Sequence, residues 1–297
     1  MLPERFNEIT YKEPVWFHIP AIFDKSLNPF QSNMYSLFQD PKFKRDNVNI
    51  VVYGCPNACT WNGGRYITGE VYRIEQIEEM FYNYIFFANI DIQLTFTNSL
   101  LEKRDIYDRY GNTLLDIANK YKDHVEVMVV SDILEDHIRN RYPEIRITRS
   151  IIKATKPTDN DFKKYYMIVS PKWQNKDKEY IKSLTEKGTI ELLADEPCTV
   201  NCPRKATHYQ AYNKSQLFIQ HNDPTFCTEP EHEYYNELMI LPEEINDYID
   251  LGVKHFKLSG REDVTHLIES AVEYLIKTNK QREVRSLAYR SVKTLLD

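Results

Sequence analysis

Hydrophobic residues recur in two alternating patterns from about residue 48 onward. Short runs rich in β-branched and aromatic residues predict buried strands, and the longer stretches between them, apolar at every third or fourth position, predict amphipathic helices. Eight runs have the character of strands: Asn49–Tyr53, Asp91–Thr97, His124–Ser131, Glu144–Ile151, Tyr165–Ser170, Thr189–Ala194, Glu237–Leu241 and Val253–Leu258. Because most of these runs are separated by a helical stretch, the pattern predicts successive βα units.

Helices are predicted between most of the strands and after the last one. Six lie between strands: Val71–Ala88, Asp105–Tyr121, Ile133–Arg141, Lys176–Glu186, Pro203–Gln220 and Pro242–Leu251. A further helix from Val264 to Ile276 carries the clearest apolar stripe, with the spacing of a buried helix face. The connection Ile152–Lys164 is short and rich in proline and aspartate, so we expect one degenerate helix there.

Eight such units predict an α/β fold, a (β/α)8 TIM-like barrel, whose usual size is about 250 residues. Residues 48–297 are expected to form this single barrel domain, with a final helix over residues 281–297. Residues 1–47, which include the apolar segment Trp16–Phe23, are expected to form an N-terminal extension packed on the barrel. An open doubly wound sheet is disfavoured, because the first turn lacks the G-x-G-x-x-G sequence that is typical of that fold.

Composition and charge narrow the classes of function. The chain has 38 basic and 44 acidic residues, a net charge of −6, so the overall charge predicts no general binding to nucleic acid or to anionic membranes. No apolar run approaches the length of about 20 residues that a membrane helix needs, so we expect no membrane insertion. The amino terminus lacks the features of a signal peptide, and we expect a cytoplasmic protein.

Five cysteines fall where a barrel places its chemistry. Active sites of this fold lie in the loops at the carboxyl ends of the strands. Cys55 and Cys59 follow the first predicted strand, Cys198 and Cys202 follow the sixth, and Cys227 lies in the connection before the seventh. Cysteines clustered in a reducing compartment more often serve metals or catalysis than disulfides. The loops after the first and sixth strands converge only if the long connection after the sixth folds across the barrel mouth.

Three interpretations of these cysteines remain open. An iron–sulfur cluster would be held by Cys198, Cys202, Cys227 and one of Cys55 or Cys59, since thiolates are the ligands of such clusters. A zinc site would use His221 with Cys198, Cys202 and Cys227, whose spacing is close to that of a zinc finger. In the third interpretation the thiols are small buried groups without a ligand, because free cysteine is among the most buried residue types.

Charged groups follow the same strand ends. Glu196 is a candidate general acid or base, while the neighbouring Asp195 is better explained as a cap of the following turn. Lys257 and Arg261, at the end of the eighth predicted strand, are candidates to bind an anionic group in the reaction. Arg149 and Lys172 are further candidates to bind a substrate carboxylate or phosphate, and the structural alternative is that each pairs with a nearby acid.

Glycine is scarce in the chain, with 8 residues, yet four of them lie between positions 54 and 69. The pair Gly63–Gly64 indicates a backbone that adopts positive φ or approaches another group closely. A tight turn explains the pair as well as a ligand does. Trp61 and Arg65, which flank the pair, are candidates for substrate binding.

Several segments at the strand ends occur in an order that resembles the U32 peptidase-like family. These segments are Arg146–Ser150, Tyr166–Pro171, Ile190–Cys198 and Leu241–Arg261, and the resemblance covers about residues 48–278. It implies a barrel that bears a 4Fe-4S cluster in several members. Some of those members carry out oxygen-independent hydroxylation, of RNA bases or of quinone precursors, with prephenate as the apparent oxygen donor in some of them.

The resemblance implies a function and a ligand set for this chain. The leading hypothesis is an iron–sulfur-dependent modifying enzyme or enzyme subunit that hydroxylates a nucleobase or small aromatic substrate, with a small-molecule or RNA-base substrate and a protein partner or redox donor. Cys55, Cys198, Cys202 and Cys227 would hold the cluster, which leaves Cys59 spare. The alternatives are a zinc-stabilised barrel that acts as a binding or partner module, and a U32-type peptidase. For the latter the sequence contains neither H-E-x-x-H nor G-x-S-x-G.

Overall fold

The computed structural model describes residues 8–20, 23, 35–63, 71–153, 156–170, 174–195, 205–223, 238–259 and 264–296. Eight parallel strands close into a barrel in the order of the chain. They are β1 (Val15–Pro20), β2 (Val48–Gly54), β3 (Asp91–Phe96), β4 (Val125–Val129), β5 (Arg146–Arg149), β6 (Met167–Val169), β7 (Ile190–Leu193) and β8 (His255–Lys257). The predicted (β/α)8 barrel is therefore confirmed.

Helices follow the strands in the alternation that the sequence predicted. They are α1 (Ile74–Tyr82), α2 (Arg109–Lys120), α3 (Asp132–Arg141), α4 (Asp159–Lys164), α5 (Lys178–Thr185), α6 (Lys205–Gln216), α7 (Ile245–Asp250), α8 (Val264–Leu275) and α9 (Gln281–Leu296). Helix α1 continues into a π-helical turn at Asn83–Phe87. The helix expected to be degenerate is α4, which has 6 residues and begins at a capping box formed by Thr158 and Asp161. None of the described helices is long and apolar enough to cross a bilayer.

The identity of two strands differs from the sequence-based prediction. Residues 15–20, assigned above to an extension outside the barrel, form β1, which pairs in parallel with β8. The segment Glu237–Leu241, predicted as the seventh strand, contains no strand in its described part, residues 238–241. Leu241 instead begins a 3-10 turn, where its backbone N–H donates to the Glu244 carboxylate. The predicted number of strands is confirmed. The prediction was wrong in leaving residues 15–20 out of the barrel and in assigning a strand to residues 238–241.

The chain divides into two compact units. The first comprises Met1–Val52, Ser170–Cys198 and Glu233–Asp297, and the second comprises Tyr53–Val169 and Thr199–His232. In the first unit Phe17 is in register with Phe256 and its ring lies 5.7 Å from that of Tyr274 in α8, so this side of β1 faces the helices. His18, in register with Lys257, then faces the barrel interior, because side chains alternate along a strand.

Polar side chains occupy much of the barrel interior. In the first unit they include His18, Glu191 and Lys257, all buried. In the second unit Gln93 of β3 donates to the carboxylate of Glu126 of β4 over 2.6 Å. Barrels of this type are usually filled by bulky branched aliphatic residues. Because a buried polar group without a partner is costly, the hydrogen-bond and ion-pair partners of these interior side chains matter for the stability of the barrel.

Candidate functional site

The residues that the sequence singled out fall into two groups. Seven lie outside the described residues: Arg65, Lys172, Glu196, Cys198, Cys202, Cys227 and Arg261. Five are described: Cys55, Cys59, Trp61, Arg149 and Lys257. The functional roles of all twelve residues remain predictions.

Cys55 and Cys59 lie in the loop that leaves the carboxyl end of β2. Both are fully buried, and neither forms a disulfide. Two successive backbone turns shape the loop, from the Cys59 N–H to the Pro56 carbonyl at 3.1 Å and from the Asn62 N–H to the Cys59 carbonyl at 3.1 Å. The pKa of the Tyr110 phenol is raised, first by burial and then by the negative charge that Cys55 and Cys59 would carry as thiolates.

Helix α6 packs against this cysteine loop. The helix follows Cys198 and Cys202 along the chain, and its last residue, Gln216, donates its side-chain amide to two carbonyls of the loop. The distances are 2.7 Å to Asn57 and 2.8 Å to Cys59. Helix α6, which follows Cys198 and Cys202 in the sequence, is thus hydrogen-bonded to the loop that contains Cys55 and Cys59. The sequence alone did not determine whether this helix contacts that loop.

Trp61 and Gly63 fix the far end of the loop. The Trp61 side chain is fully buried, and its indole N–H donates to the Asp105 carbonyl over 2.7 Å. A Cβ on Gly111 of α2 would lie 2.7 Å from the Trp61 ring, so the ring packs directly on the helix backbone. A Cβ on Gly63 would lie 2.4 Å from the Asn98 Cα. Gly63 is therefore required by a close backbone approach, and Trp61 is accounted for by packing.

A cavity of about 230 Å3 opens between the cysteine loop and α6. The loop contributes Asn57, Asn62 and Gly63, and the helix with the turn that ends it contributes Tyr212, Ser215, Gln216 and Phe218. None of these lining residues carries a formal charge. Asn62 is 2% exposed, and its side-chain Oδ1 has no hydrogen-bond partner. An amide buried in this way is uncommon, since most buried polar atoms are paired.

The rim of the cavity contains a residue in a strained conformation. Helix α6 ends in a Schellman motif, in which the Phe218 N–H bonds the Ser215 carbonyl and the Ile219 N–H bonds the Lys214 carbonyl. Phe218 occupies the position that glycine usually takes, with φ of 56°, and it is 92% exposed. A bulky residue with positive φ is a genuine outlier, and such strain is often found at functional sites.

A serine and a histidine pair beside the same cavity. The Ser215 Oγ lies 2.7 Å from the His221 Nε2, and the buried His221 Nδ1 has no partner. A catalytic serine–histidine pair has a third group that orients the histidine through its other nitrogen. That group is absent among the described residues, so the pair does not form a hydrolytic triad. Nor do the described residues contain any cluster of three or more His, Cys, Asp or Glu side chains able to hold a metal.

The interior cluster, which we define as His18, Glu191, His255 and Lys257, lies in the first unit. The His18 Nδ1 is 3.1 Å from a Glu191 carboxylate oxygen, and its Nε2 is 3.1 Å from the His255 Nδ1. The Lys257 Nζ lies 3.4 Å from the other Glu191 oxygen. Burial, and then the charge of Lys257, hold the pKa of His18 well below its usual value. The ring is therefore neutral, and Glu191 and Lys257 offset each other's charge.

Asp195 lies just beyond β7, also in the first unit. Its carboxylate accepts the Ser259 N–H over 2.6 Å and lies 3.3 Å from the His266 Nε2. The Ser259 Oγ contacts the same nitrogen over 3.1 Å. In a hydrolytic triad the acid and the serine contact different nitrogens of the histidine. These three residues therefore do not form one. Asp195 thus bonds the backbone just after β8, and the turn that it was expected to cap lies outside the described residues.

Lys257 and Arg149 each lie beside an acid. Lys257, expected in or near the barrel mouth, is buried, and its Nζ lies 3.4 Å from a Glu191 carboxylate oxygen. Arg149 was predicted to face a substrate at the barrel mouth, but it is 3% exposed and lies 3.7 Å from Asp161 of α4. Arg149 therefore lies near an acid, which is the alternative to substrate binding that the sequence left open. Sequence reasoning did not single out His18, Glu191, Asn62, Ser215 or Gln216, because their significance depends on the partners that the fold gives them.

The fold and the position of the cavity define this chain as a (β/α)8 barrel protein with a candidate site at the carboxyl end of a strand. Among solved structures it resembles the U32 peptidase Mk0906, with 14% sequence identity, a TM-score of 0.50, and coverage of 87% of this chain and 97% of that one. The resemblance to the U32 group is thereby confirmed at the level of the fold. No protein-family model matches the sequence. No curated protein matches it either.

Proposed function

We propose that this protein is an iron–sulfur-dependent modifying enzyme with a U32-like barrel, which hydroxylates a nucleobase or small aromatic substrate without dioxygen. One observation carries the proposal. The loop with the buried thiols Cys55 and Cys59 and the helix that follows Cys198 and Cys202 are joined through Gln216, and together they enclose a cavity. A small-molecule site next to soft sulfur donors is the arrangement that such chemistry requires.

The donor set fits a 4Fe-4S cluster. Cys55 offers a reduced, buried thiol in the described loop, and Cys198, Cys202 and Cys227 would supply the other three ligands. When bound, the cluster supplies one-electron redox chemistry. Cys59 is the spare thiol in this assignment, since a cluster of this type takes four.

The protein's own residues would bind the reactants and move protons. The cavity beside Asn62 would take the substrate, and Glu196 would exchange a proton with it as general acid or base. The oxygen atom would come from a second organic substrate, a hydroxylated carboxylic acid, which would be reduced from C–OH to C–H as the first substrate is oxidised from C–H to C–OH. Arg261 would bind the carboxylate of that molecule.

Zinc binding is the second candidate, and a specific observation favours it. The Nδ1 of His221 is buried without a partner while its Nε2 contacts Ser215. A histidine that ligates a metal usually has its other ring nitrogen held by a hydrogen bond in this way. In this alternative His221 joins Cys198, Cys202 and Cys227 around zinc, and the barrel serves as a binding or partner module. Hydrolysis, as in a U32-type peptidase, has no such support among the described residues.

The experiment is purification without oxygen, followed by an absorption spectrum and assays of iron, acid-labile sulfide and zinc. We expect a brown protein with about four irons and four sulfides per chain. A colourless, iron-free protein with one zinc per chain would overturn the proposal and favour the second candidate. Cys202→Ser should remove the cluster, and Cys59→Ser is the matched control that should retain it. His221→Ala should leave the iron content unchanged, whereas it should lower a zinc content.

A further inference from the structure

An aromatic patch lies on the second unit where α1 ends, at the opposite end of the strands from the cysteine loop. We propose that this patch, which we define as Tyr82, Phe86, Phe87 and Tyr121, is a docking surface for a basic amphipathic helix of another protein. The patch precedes the start of β3, whereas the cysteine loop follows the carboxyl end of β2. The inference goes beyond the proposed function and does not depend on it.

The rings of the patch contact one another and leave much of their surface to solvent. The Tyr82 ring lies 5.0 Å from that of Phe86 and 5.7 Å from that of Phe87, between centroids. The Phe86 ring lies 6.1 Å from that of Tyr121, which follows α2. Phe87 is 78% exposed, Phe86 57% and Tyr82 47%. Single exposed apolar residues are ordinary on a protein surface, but a contiguous group rimmed by polar residues marks an interaction surface.

A π-helical turn carries the two phenylalanines. Over Asn83–Phe87 the helix widens, so that the Ala88 N–H donates five residues back, to the Asn83 carbonyl, over 3.1 Å. In this turn Ile85 is buried, while the adjacent Phe86 and Phe87 are both exposed. π-Helical turns are rare and occur frequently at functional sites. Core packing therefore accounts for Ile85 and does not account for the two phenylalanines.

The area of the patch indicates the kind of interface. If a fully exposed aromatic side chain offers about 200 Å2, the exposed fractions of Tyr82, Phe86 and Phe87 amount to about 350 Å2. Each partner in a stable interface buries about 800 Å2. The aromatic rings thus supply less than half of the surface that one partner needs, and the polar groups around them must form the rest.

The basic residues beside the patch are already paired. Lys120 and Lys122, on either side of Tyr121 in the sequence, form ion pairs with Glu78 and Glu144. Neither lysine therefore offers an unpaired charge to an acidic protein or to the phosphates of a nucleic acid.

Acidic residues of α1 extend the patch along the helix. Glu75 and Glu79 are exposed, and neither forms an ion pair within the described part of the chain. With Tyr82 and Phe86 they follow one another at spacings of four, three and four residues, the repeat along which two helices pack. A partner helix that lies along this stripe would place apolar side chains on the rings and lysine or arginine side chains on the two acids.

A second copy of this chain fits the surface less well than a basic partner does. In a symmetric dimer built on the patch, each patch would face the same patch. Glu75 and Glu79 would then meet only lysines that are already paired, and the like charges of the two copies would repel each other.

The experiment uses a model helix of defined charge. The probe is a fluorescein-labelled peptide of two Leu-Lys-Lys-Leu-Leu-Lys-Leu heptads, and its control has glutamate in place of every lysine. We expect fluorescence anisotropy with the full chain to show saturable binding of the lysine peptide. The glutamate peptide should bind at least about tenfold more weakly, because its charge repels the two acids. Equal binding of the two peptides, or no binding of the lysine peptide, would overturn the inference.

Matched variants assign the binding to the patch. Phe87→Ser and Tyr107→Ser each remove a ring that is 78% exposed, the second from the connection between β3 and α2. We expect Phe87→Ser to weaken binding of the lysine peptide at least about tenfold, and Tyr107→Ser to bind as the wild type does. Glu79→Lys should weaken binding at least about threefold, whereas Glu179→Lys, an exposed change on α5, should not. If Phe87→Ser or Glu79→Lys binds as tightly as the wild type, or if Tyr107→Ser loses as much affinity as Phe87→Ser, the inference is wrong.

Sedimentation of the protein alone distinguishes a second copy from a different partner. We expect Phe87→Ser to leave the oligomeric state of the wild type unchanged. A wild-type dimer that this change dissociates would overturn the proposal in favour of a symmetric interface. None of these measurements depends on the iron content, so the inference and the proposed function fail independently of each other.

Discussion

The interior cluster in the first unit and the cavity beside Asn62 in the second are both polar and both buried, yet their polar groups are partnered differently. In the interior cluster Glu191 lies between Lys257 and His18, at 3.4 and 3.1 Å. At the cavity Asn62 is one of the lining residues, and its buried Oδ1 has no hydrogen-bond partner. Opposite charges therefore meet in the first region, whereas the described lining of the second carries no formal charge.

This difference separates stabilising polar groups from candidate functional ones. Charged residues in a barrel interior attract attention as catalytic candidates, and Lys257 was one of them. Its position beside Glu191 accounts for it as half of an ion pair in the barrel core. The amide of Asn62 was a weaker signal in the sequence, but in the structure its oxygen is buried without a hydrogen-bond partner. The predictions below test this contrast.

The largest effect is expected for Lys257→Met. Removing the ammonium leaves the Glu191 carboxylate buried without that cation, and breaking a buried ion pair costs about 3–5 kcal/mol. Denaturant unfolding should show a loss of stability in that range. Lys254→Met is the matched control, because Lys254 pairs with Glu13 at the surface, with side chains about half exposed, and should change stability by less than about 0.5 kcal/mol. A small effect at Lys257 would remove the contrast between the two regions.

Glu135, a buried carboxylate in the second unit, tests whether hydrogen bonds and ion pairs to a buried acid also stabilise that unit. Burial pushes the pKa of Glu135 upward, but hydrogen bonds from Lys164, Tyr165 and Arg139 outweigh it and lower that pKa to about 2. The shift from 4.5 corresponds to about 3 kcal/mol at most. We therefore expect Glu135→Gln to cost about 2–3 kcal/mol at pH 7.

The pH dependence of this stabilisation has a definite sign. Because the pKa is lower in the folded state, the contribution of Glu135 is present above about pH 4.5 and is lost as the pH falls toward about 2. Unfolding curves of wild type and Glu135→Gln should differ at pH 6 and converge at low pH. Glu179→Gln, an exposed change of the same kind, should track the wild type. A constant difference across this pH range would contradict the account.

The smallest effect is expected at Phe218, where two variants isolate the backbone strain. Both Phe218→Gly and Phe218→Ala remove the exposed ring. Only glycine relieves the left-handed conformation, and Phe218→Gly should be about 1 kcal/mol more stable than Phe218→Ala. Thermal unfolding of the two variants measures this difference. Equal stability would show that the strain has no energetic weight.

Hydrophobic periodicity predicted the barrel because its strands β2 to β8 are short apolar runs between helical stretches. It missed β1, whose interior-facing His18 interrupts an otherwise apolar and aromatic run between Pro14 and Pro20. It placed a strand at residues 237–241, where the capping contact between Leu241 and Glu244 instead starts a turn. In the first segment a polar residue interrupts the apolar pattern of a strand, and in the second a capping contact starts a turn, so apolar composition alone was a poor guide.

The candidate site was predictable only in part. The strand pattern placed Cys55 and Cys59 at the end of a strand, and the scarcity of glycine drew attention to Gly63, where a close backbone approach is found. Nothing in the sequence distinguishes Asn62 from its neighbours, because the significance of Asn62 lies in the absence of a hydrogen-bond partner. Burial and hydrogen bonding of a side chain follow from tertiary contacts, such as that of Gln216 with the loop.

The most direct test of the contrast is a thermal-unfolding comparison of wild type and Asn62→Leu. A buried amide without a partner destabilises the protein, so the variant should have the higher Tm, by about 2 °C. A variant that is less stable than the wild type would contradict the account.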